Sequence, residues 1–469
     1  MKYIPTIGLE IHVQPKTQTK MFCGCGTNSY AEPNTLICPG CLGYPGTLPL
    51  LNREAVRRTV MAGLMLGCRI NRQSKFERKN YFYPDAAKNY QITQYVKPVC
   101  VGGAVSFMLK DGTEKTVRLN RIHLEEDVAK CLHHPKCSGV DFNRSGMPLM
   151  EIVTEPEISS ADEAFTFLQT LRQNLIYAGA SDCNLEEGQM RCDVNVSVRP
   201  EGTEKLGTRI EIKNMNSFSN IHAALEYEIG RQIRALETGS EKLRQETRRW
   251  DPEQNETAAM RTKENDHDYR YFPEPDIPPV VLSDAQIEEW RAALPELPSK
   301  KRERFMSEYG LPAYDAGVLA AQLSVADFFE ATAKKSGNAK ASSNWIMGDV
   351  LRKMGECSTH LTSDALAELI QLVDKKTINM PTAKELFVEL FEKGGSPAEM
   401  VKTRGLAQVT DTSAIEKFAA DVVAANPKVV ADFKNGKQAA LQFLVGQVMK
   451  LSKGKANPQM AAELIQKVI

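Results

Sequence analysis

Polar and apolar residues alternate along several stretches of this chain, and the polar side of the alternation is chemically loaded. In residues 8–13 Leu9, Ile11 and Val13 oppose Glu10 and His12, and in residues 121–127 Arg121, His123, Glu125 and Asp127 oppose Ile122, Leu124 and Glu126. Residues 192–199 set Asp193, Asn195, Ser197 and Arg199 against three valines, and residues 209–213 set Arg209, Glu211 and Lys213 against Ile210 and Ile212. A period of two predicts half-buried strands. One wet face of an antiparallel sheet would explain any single strand, but a solvated face favours Lys, Thr and Ser. Four strands that present acids, a His, an Asn and an Arg carry the set that holds a hard metal and a polyphosphate.

Between these strands the period changes. Residues 52–66, 160–177 and 221–236 repeat apolar positions at helical spacing, the first behind a capping Asn52. Gly102-Gly103 and Asp111-Gly112 sit between alternating runs as hairpin turns, which predicts an antiparallel sheet with helices on one side. Pro273, Pro275, Pro278 and Pro279 exclude regular structure there and mark a boundary. Beyond it Ser283 and Gln286 form a capping-box pattern, and the remaining sequence is rich in Ala and Leu at helical spacing, with a break at residues 402–412. The expected fold class is α+β: an antiparallel-sheet cradle with a zinc knuckle over residues 1–292, an all-helical domain over 293–405 and a small helical tail over 406–469.

Composition narrows the reading only locally. Across 469 residues Lys plus Arg and Asp plus Glu are equal at 59 each, so no global field announces nucleic acid or membrane. No run of 18 apolar residues exists and the N-terminus resembles no targeting segment, so a cytoplasmic protein is expected, without a membrane partner. Residues 401–469 are the exception to neutrality, with ten Lys or Arg against five Asp or Glu. There Leu441, Leu444, Val448 and Leu451 predict one buried helix face, and Lys437, Lys450, Lys453 and Lys455 lie on or just beyond that helix as candidates for contact with phosphates.

Ten of the eleven cysteines precede residue 200. Cys23, Cys25, Cys38 and Cys41 form C-x-C and C-x-x-C pairs in Gly- and Pro-rich turns, the arrangement that gives tetrahedral zinc four thiolates and no open position. Such a zinc is structural. The other cysteines show no pairing and read as small apolar residues. In residues 75–95 basic and aromatic side chains interleave, which suits either stacking on RNA or a Tyr-rich edge strand. No Walker loop, kinase signature, dinucleotide fingerprint or nucleophile elbow is present.

The stretches GLEIHV, FCGCGTNSYAEPN, CPGCLGYPGTLP, RKNYFYPD, HLEED, EEGQMRCDVNVSVRP, IEIKNMNSF, QETRRWD and HDYRYFPEPD together resemble the B-subunit family of the glutamyl/aspartyl-tRNA amidotransferases, and the resemblance spans essentially the whole chain. It implies ATP- and magnesium-dependent phosphorylation of the Glu or Asp side-chain carboxylate on mischarged tRNA, followed by amidation. It also implies an amidase partner, the A subunit, which supplies ammonia, and a small C subunit in a heterotrimer. Carried over residue by residue, it assigns Glu10, His12, Glu125, Asp193 and Glu211 to magnesium, with Glu126 in the same acidic region. Lys79, Arg191 and Asn195 are assigned to ATP, and Lys79, Tyr81, Glu126, Arg191 and Lys213 to catalysis; the four cysteines keep the family's zinc pattern. The rival reading is a zinc-ribbon RNA-binding module without catalysis, against which the acidic faces argue, because bare carboxylates repel phosphate.

Overall fold

The alternating stretches become the centre of one sheet. In this computed structural model, residues 2–28, 30–213, 215, 217–262, 266–354, 359–407, 412–434, 437–452, 456 and 458–469 are described. The strands that build the site are Tyr3–Val13 (β1), Glu77–Asn80 (β2), Tyr90–Thr93 (β3), Glu114–Glu126 (β4), Pro148–Thr154 (β5), Met190–Pro200 (β6), Ile210–Lys213 (β7), Glu246–Asp251 (β8), Glu256–Thr262 (β9) and Phe272–Pro273 (β10). They lie in the order β9-β8-β7-β6-β1-β5-β4-β3-β2-β10, and three short strands beside β4 bring the sheet to thirteen among the described residues. β1 is therefore central although it comes first in the chain.

Helices Arg53–Met65 (α1), Ala161–Tyr177 (α2) and Phe218–Thr238 (α3) pack on the sheet. Asn52, Ser160 and Ser217 cap them by accepting backbone N–H bonds that the first turn leaves unmatched. The apolar halves of the alternation form the core, with Leu9, Ile11, Val194, Val196, Ile210 and Ile212 at most 1% exposed. Each such side chain contributes roughly 1.5–3 kcal/mol by leaving water. Asp284–Ala292 (α4) begins with the expected capping box, in which Ser283 and Gln286 satisfy each other's backbone groups.

The sheet departs from the sequence reading at three points, one being that Pro273, expected to exclude regular structure, ends the short edge strand β10, where a missing N–H costs no central ladder bond. The sheet is not wholly antiparallel, because β7 and β8 pair in parallel and α3 spans the chain between them, as a crossover requires. In addition, residues 246–262, whose charge gave no strand signal, form the β8–β9 hairpin. Its buried charge is satisfied inside the protein. Buried Arg248 donates to Glu246 and Thr257, and Glu228 on α3, wholly buried, accepts from Thr257, Arg231 and Gln232.

The chain divides into two compact units, Met1–Leu297 and Pro298–Ile469. The second is helical and holds two separate cores, one around Phe305, Phe329, Trp345 and Phe391, the other around Ile415, Val422, Leu444, Val448 and Leu464. Gln438–Leu451 is the expected tail helix, with Leu444 and Val448 buried and Leu441 packed against the cluster. Leu451 is not on the buried face but 51% exposed in the last turn. Cys137 likewise is exposed rather than apolar filling, and Cys357 lies outside the described residues.

Candidate functional site

Register carries the loaded residues to one place. Pairing of β1 with β6 sets Glu10 opposite Asp193, His12 opposite Arg191 and Gly8 opposite Asn195, and the next strand sets Asn195 opposite Glu211. On the other side of β1, His12 faces Glu151 of β5, and Glu151 faces His123 of β4. Because side chains alternate, all of these project from the face opposite the core. Of these, Glu10, His12, His123, Glu151, Asp193 and Glu211 line an open cavity of about 1210 Å³ together with Lys79, Thr93, Gln94, Tyr95, Arg121, Glu125, Lys213, Thr247, Tyr269 and Tyr271.

At its floor His12, Glu125 and Glu151 present ligand atoms that all lie within 4.8 Å of one another. His12 Nε2 stands 3.4 Å from Glu125 Oε1 and 3.5 Å from Glu151 Oε2. Arg121 Nε stands 3.4 Å from His123 Nδ1, and His123 Nε2 faces Glu151 at 3.3 Å. Burial lowers the His12 pKa, but Glu151, Glu125 and Asp193 outweigh it and hold the imidazole up at about 9. Burial pushes Glu125 up, assisted by Glu151, whereas the two imidazoles hold Glu151 well below the carboxylate range in spite of its own burial.

The walls carry the cations. Lys79 Nζ lies 4.7 Å from the centre of the Tyr269 ring, and Lys213 Nζ donates to Asp193 at 2.5 Å and stands 3.5 Å from Glu211. Burial works against both ammonium groups, but the neighbouring tyrosines and Glu125 for Lys79, and Asp193 and Glu211 for Lys213, raise each pKa above the ordinary lysine value. Asn195 donates to Glu10 at 2.8 Å, and Thr247 donates to Glu211 at 2.7 Å. Tyr269 and Tyr271 come from a strap that ends in β10. Arg78 holds it by a two-pronged pair with Glu274, Asn80 donates to Arg270 O, and Tyr271 stacks on Tyr95 with ring centres 4.3 Å apart.

Not every expected residue joins this cavity. Glu126 points to the other face, as alternation dictates, and there accepts from Lys88 and from Ile92 N. Arg191 pairs with Asp127 at 2.8 Å outside the cavity lining, and its Nε is buried without a partner among the described residues. Tyr81 also lies outside the lining, edge-on to Tyr269, with its hydroxyl held protonated by burial and by Asp85, Glu125, Glu126 and Asp127. The sequence reading missed Glu151 and gave His123 no role. The available signal was a lone acid at an alternate position inside the apolar run of β5.

The four cysteines form a second cluster, their sulfurs all within 4.8 Å of one another. A tetrahedral ion with bonds of about 2.3 Å needs sulfurs about 3.8 Å apart, so the set fits zinc. A hydrogen bond from Cys23 holds Cys41 down at about 4 against its burial, with the Cys38 N–H and the Lys20 ammonium acting in the same direction. Gly43, at φ 71°, lets the knuckle close on its neighbour, since a Cβ there would stand 2.7 Å from Lys88 Cγ.

The chain matches the family model described as the GatB/GatE catalytic domain over residues 5–288 and that described as the GatB domain over residues 327–469. Three curated relatives, each named as the B subunit of an aspartyl/glutamyl-tRNA(Asn/Gln) amidotransferase, align end to end. Those of Caldicellulosiruptor saccharolyticus and Thermodesulfovibrio yellowstonii are each 50% identical, covering 99% and 100% of both chains. That of Clostridium tetani is 48% identical over 100% of this chain and 99% of its own. Among the described residues no helix is long and apolar enough to cross a membrane. The family models match most of the chain and the relatives essentially all of it, and the chain therefore belongs to the family of tRNA-dependent amidotransferase B subunits, enzymes of the ligase type.

Proposed function

We propose that the cavity phosphorylates the side-chain carboxylate of Glu or Asp on mischarged tRNA(Gln) or tRNA(Asn) with ATP, and that ammonia from a partner amidase then completes the amide. The observation that carries this reading is the charge inventory. Five carboxylates, Glu10, Glu125, Glu151, Asp193 and Glu211, line the cavity against three fixed cations, Lys79, Arg121 and Lys213, and two imidazoles. A triphosphate is repelled by such a wall unless divalent cations enter with it. The donor set at His12, Glu125 and Glu151 fits one, because the proton that His12 keeps up to about 9 marks a shortage of positive charge. Magnesium bound there, with Glu10, Asp193 and Glu211 around it, would neutralise phosphate charge.

The rest is work for the chain's own groups. Lys79 and Lys213 hold phosphate oxygens from opposite walls and Asn195 orients Glu10, while Arg191 and Tyr81, beside Asp127, receive the substrate carboxylate. That carboxylate is already ionised near neutral pH, so no general base is needed for its attack on the γ-phosphorus. The P–O bond to the β-phosphate breaks and ADP leaves. Ammonia then attacks the acyl carbon, phosphate departs with the C–O bond electrons, and the nitrogen loses a proton. Glu126, on the opposite face with Lys88, acts outside the phosphate-binding set.

The proposed assembly, in the cytoplasm, is a heterotrimer with an amidase (the A subunit) and a small C subunit. Within this chain we assign residues 1–292 to catalysis and the zinc knuckle, 293–405 to a helical domain and 406–469 to tRNA binding. Lys437 and Lys450 stand at opposite ends of the tail helix, about 20 Å apart at 1.5 Å per residue. Lys437 is already paired with Asp432 at 2.9 Å, and Lys453 and Lys455 lie outside the described residues. The test is Glu125→Gln in the assembled complex: ATP-dependent amidation of mischarged tRNA should disappear while the partner still releases ammonia from glutamine. Undiminished amidation by the variant would overturn the assignment.

A further inference from the structure

Lys20 is fully buried, yet no carboxylate lies within ion-pair distance of its ammonium among the described residues. An isolated ammonium cannot be kept charged in such a place without an anion. The polar atoms that Nζ reaches are Phe142 O at 3.2 Å and Cys41 Sγ at 3.6 Å. Its own backbone N–H is bonded to Cys25 O at 2.9 Å, so the residue is fixed at the edge of the knuckle that it faces. Cys41 is also the buried member of the four cysteines, and the Cys38 N–H donates to the same sulfur at 3.2 Å.

Four thiolates around a dication leave a net charge of −2, and a fully buried ammonium beside buried Cys41 reduces it to −1. We propose that Lys20 is a positioning residue of the four-cysteine site: its buried charge compensates the Cys41 thiolate and so sets how tightly and how durably zinc is held. The inference rests on the reading of this cluster as a zinc site. It explains why a lysine is buried here at all, since an apolar residue of equal length would fill the same space at less cost in desolvation.

The experiment uses the complete complex, with Lys20→Met to keep the chain length without the charge and Lys20→Arg to keep the charge. Zinc content and the rate of zinc release to a chromogenic chelator are measured for each. Wild type should hold one zinc, the methionine variant should release it about 10 to 100 times faster, the range for losing an outer partner of a metal ligand, and the arginine variant should stay near wild type. Equal release from wild type and K20M overturns the proposal, as does release from K20R as fast as from K20M. If K20M does not fold, K20R alone decides: near-wild-type release supports charge compensation and tenfold faster release overturns it. A wild type without zinc refutes the zinc reading itself, and the inference falls with it.

Discussion

The two clusters of ligand-type side chains are assembled in opposite ways. The cysteine site gathers four residues from a single short stretch, 23–41, whereas the acid site gathers His12, Glu125 and Glu151 from three strands that only the sheet order β1-β5-β4 makes adjacent. Their charge is managed differently too. The cysteines have one buried ammonium beside Cys41, while the acids are surrounded by two imidazoles and by lysines on facing walls. The closed, short-range site suits structural support, and the open one, in which positive charge is in deficit, suits a substrate that arrives with its own cations.

The sharpest way to break this contrast is at Glu151, which belongs to the cavity only by register. Glu151→Gln keeps the shape and removes the charge that faces both His12 and His123; amidation should fall about 100-fold or more, the scale of losing one group that neutralises transition-state charge. Ammonia release by the partner should persist, and a turnover within twofold of wild type would remove Glu151 from the site. The cysteine site is expected to fail through the fold instead. Cys38→Ser should lose zinc and melt about 5–10 °C lower in a thermal scan, and zinc-free protein of unchanged melting temperature would show that the knuckle needs no metal.

Protons sharpen the comparison further. His12 can lend Nε2 to a cation only when neutral, and its pKa of about 9 means that a dication binding there displaces a proton at any lower pH. Magnesium affinity should therefore rise with pH up to about 9, by at most about tenfold per unit, and level off above it. Calorimetric titration with magnesium alone, in buffers of different ionisation enthalpy, should show that proton release; pH-independent binding without it would place the cation elsewhere. The smallest effect belongs to the tail. Lys450→Glu should weaken tRNA binding severalfold and flatten the logarithmic salt dependence by about 0.9 for the one phosphate no longer neutralised, and an unchanged slope would make this lysine a mere helix end.

What was legible in the sequence follows the same division. The cysteine spacing, the alternation in β1, β4, β6 and β7, and the caps Asn52 and Ser283 could be read directly, because each depends on neighbours a few residues away. Glu151 could not, since the signal in β5 is one acid among apolar residues, and only pairing with β1 and β4 gives it His12 and His123 as neighbours. The β8–β9 hairpin escaped for a related reason: Arg248 looks like a solvent residue until Glu228, twenty residues earlier on α3, is brought beneath it. The B-subunit resemblance supplied the proposed chemistry, which alternation alone does not specify. Even the alternation held a surprise, because His123, Glu125, Glu126 and Asp127, all with ionisable side chains, are buried by the protein rather than bathed in solvent.

The strap has a consequence for the order in which a newly made chain acquires its parts. Every acid of the cavity floor has been synthesised by residue 211, but Tyr269, Tyr271 and the Glu274 that clamps Arg78 follow much later. A nascent chain that stops short of them holds the whole acidic floor and Lys79, yet lacks the aromatic wall and leaves Arg78 without its carboxylate. The cavity is thus among the last features of the first unit to be finished on the ribosome, and no fragment cut ahead of the strap can stand in for it.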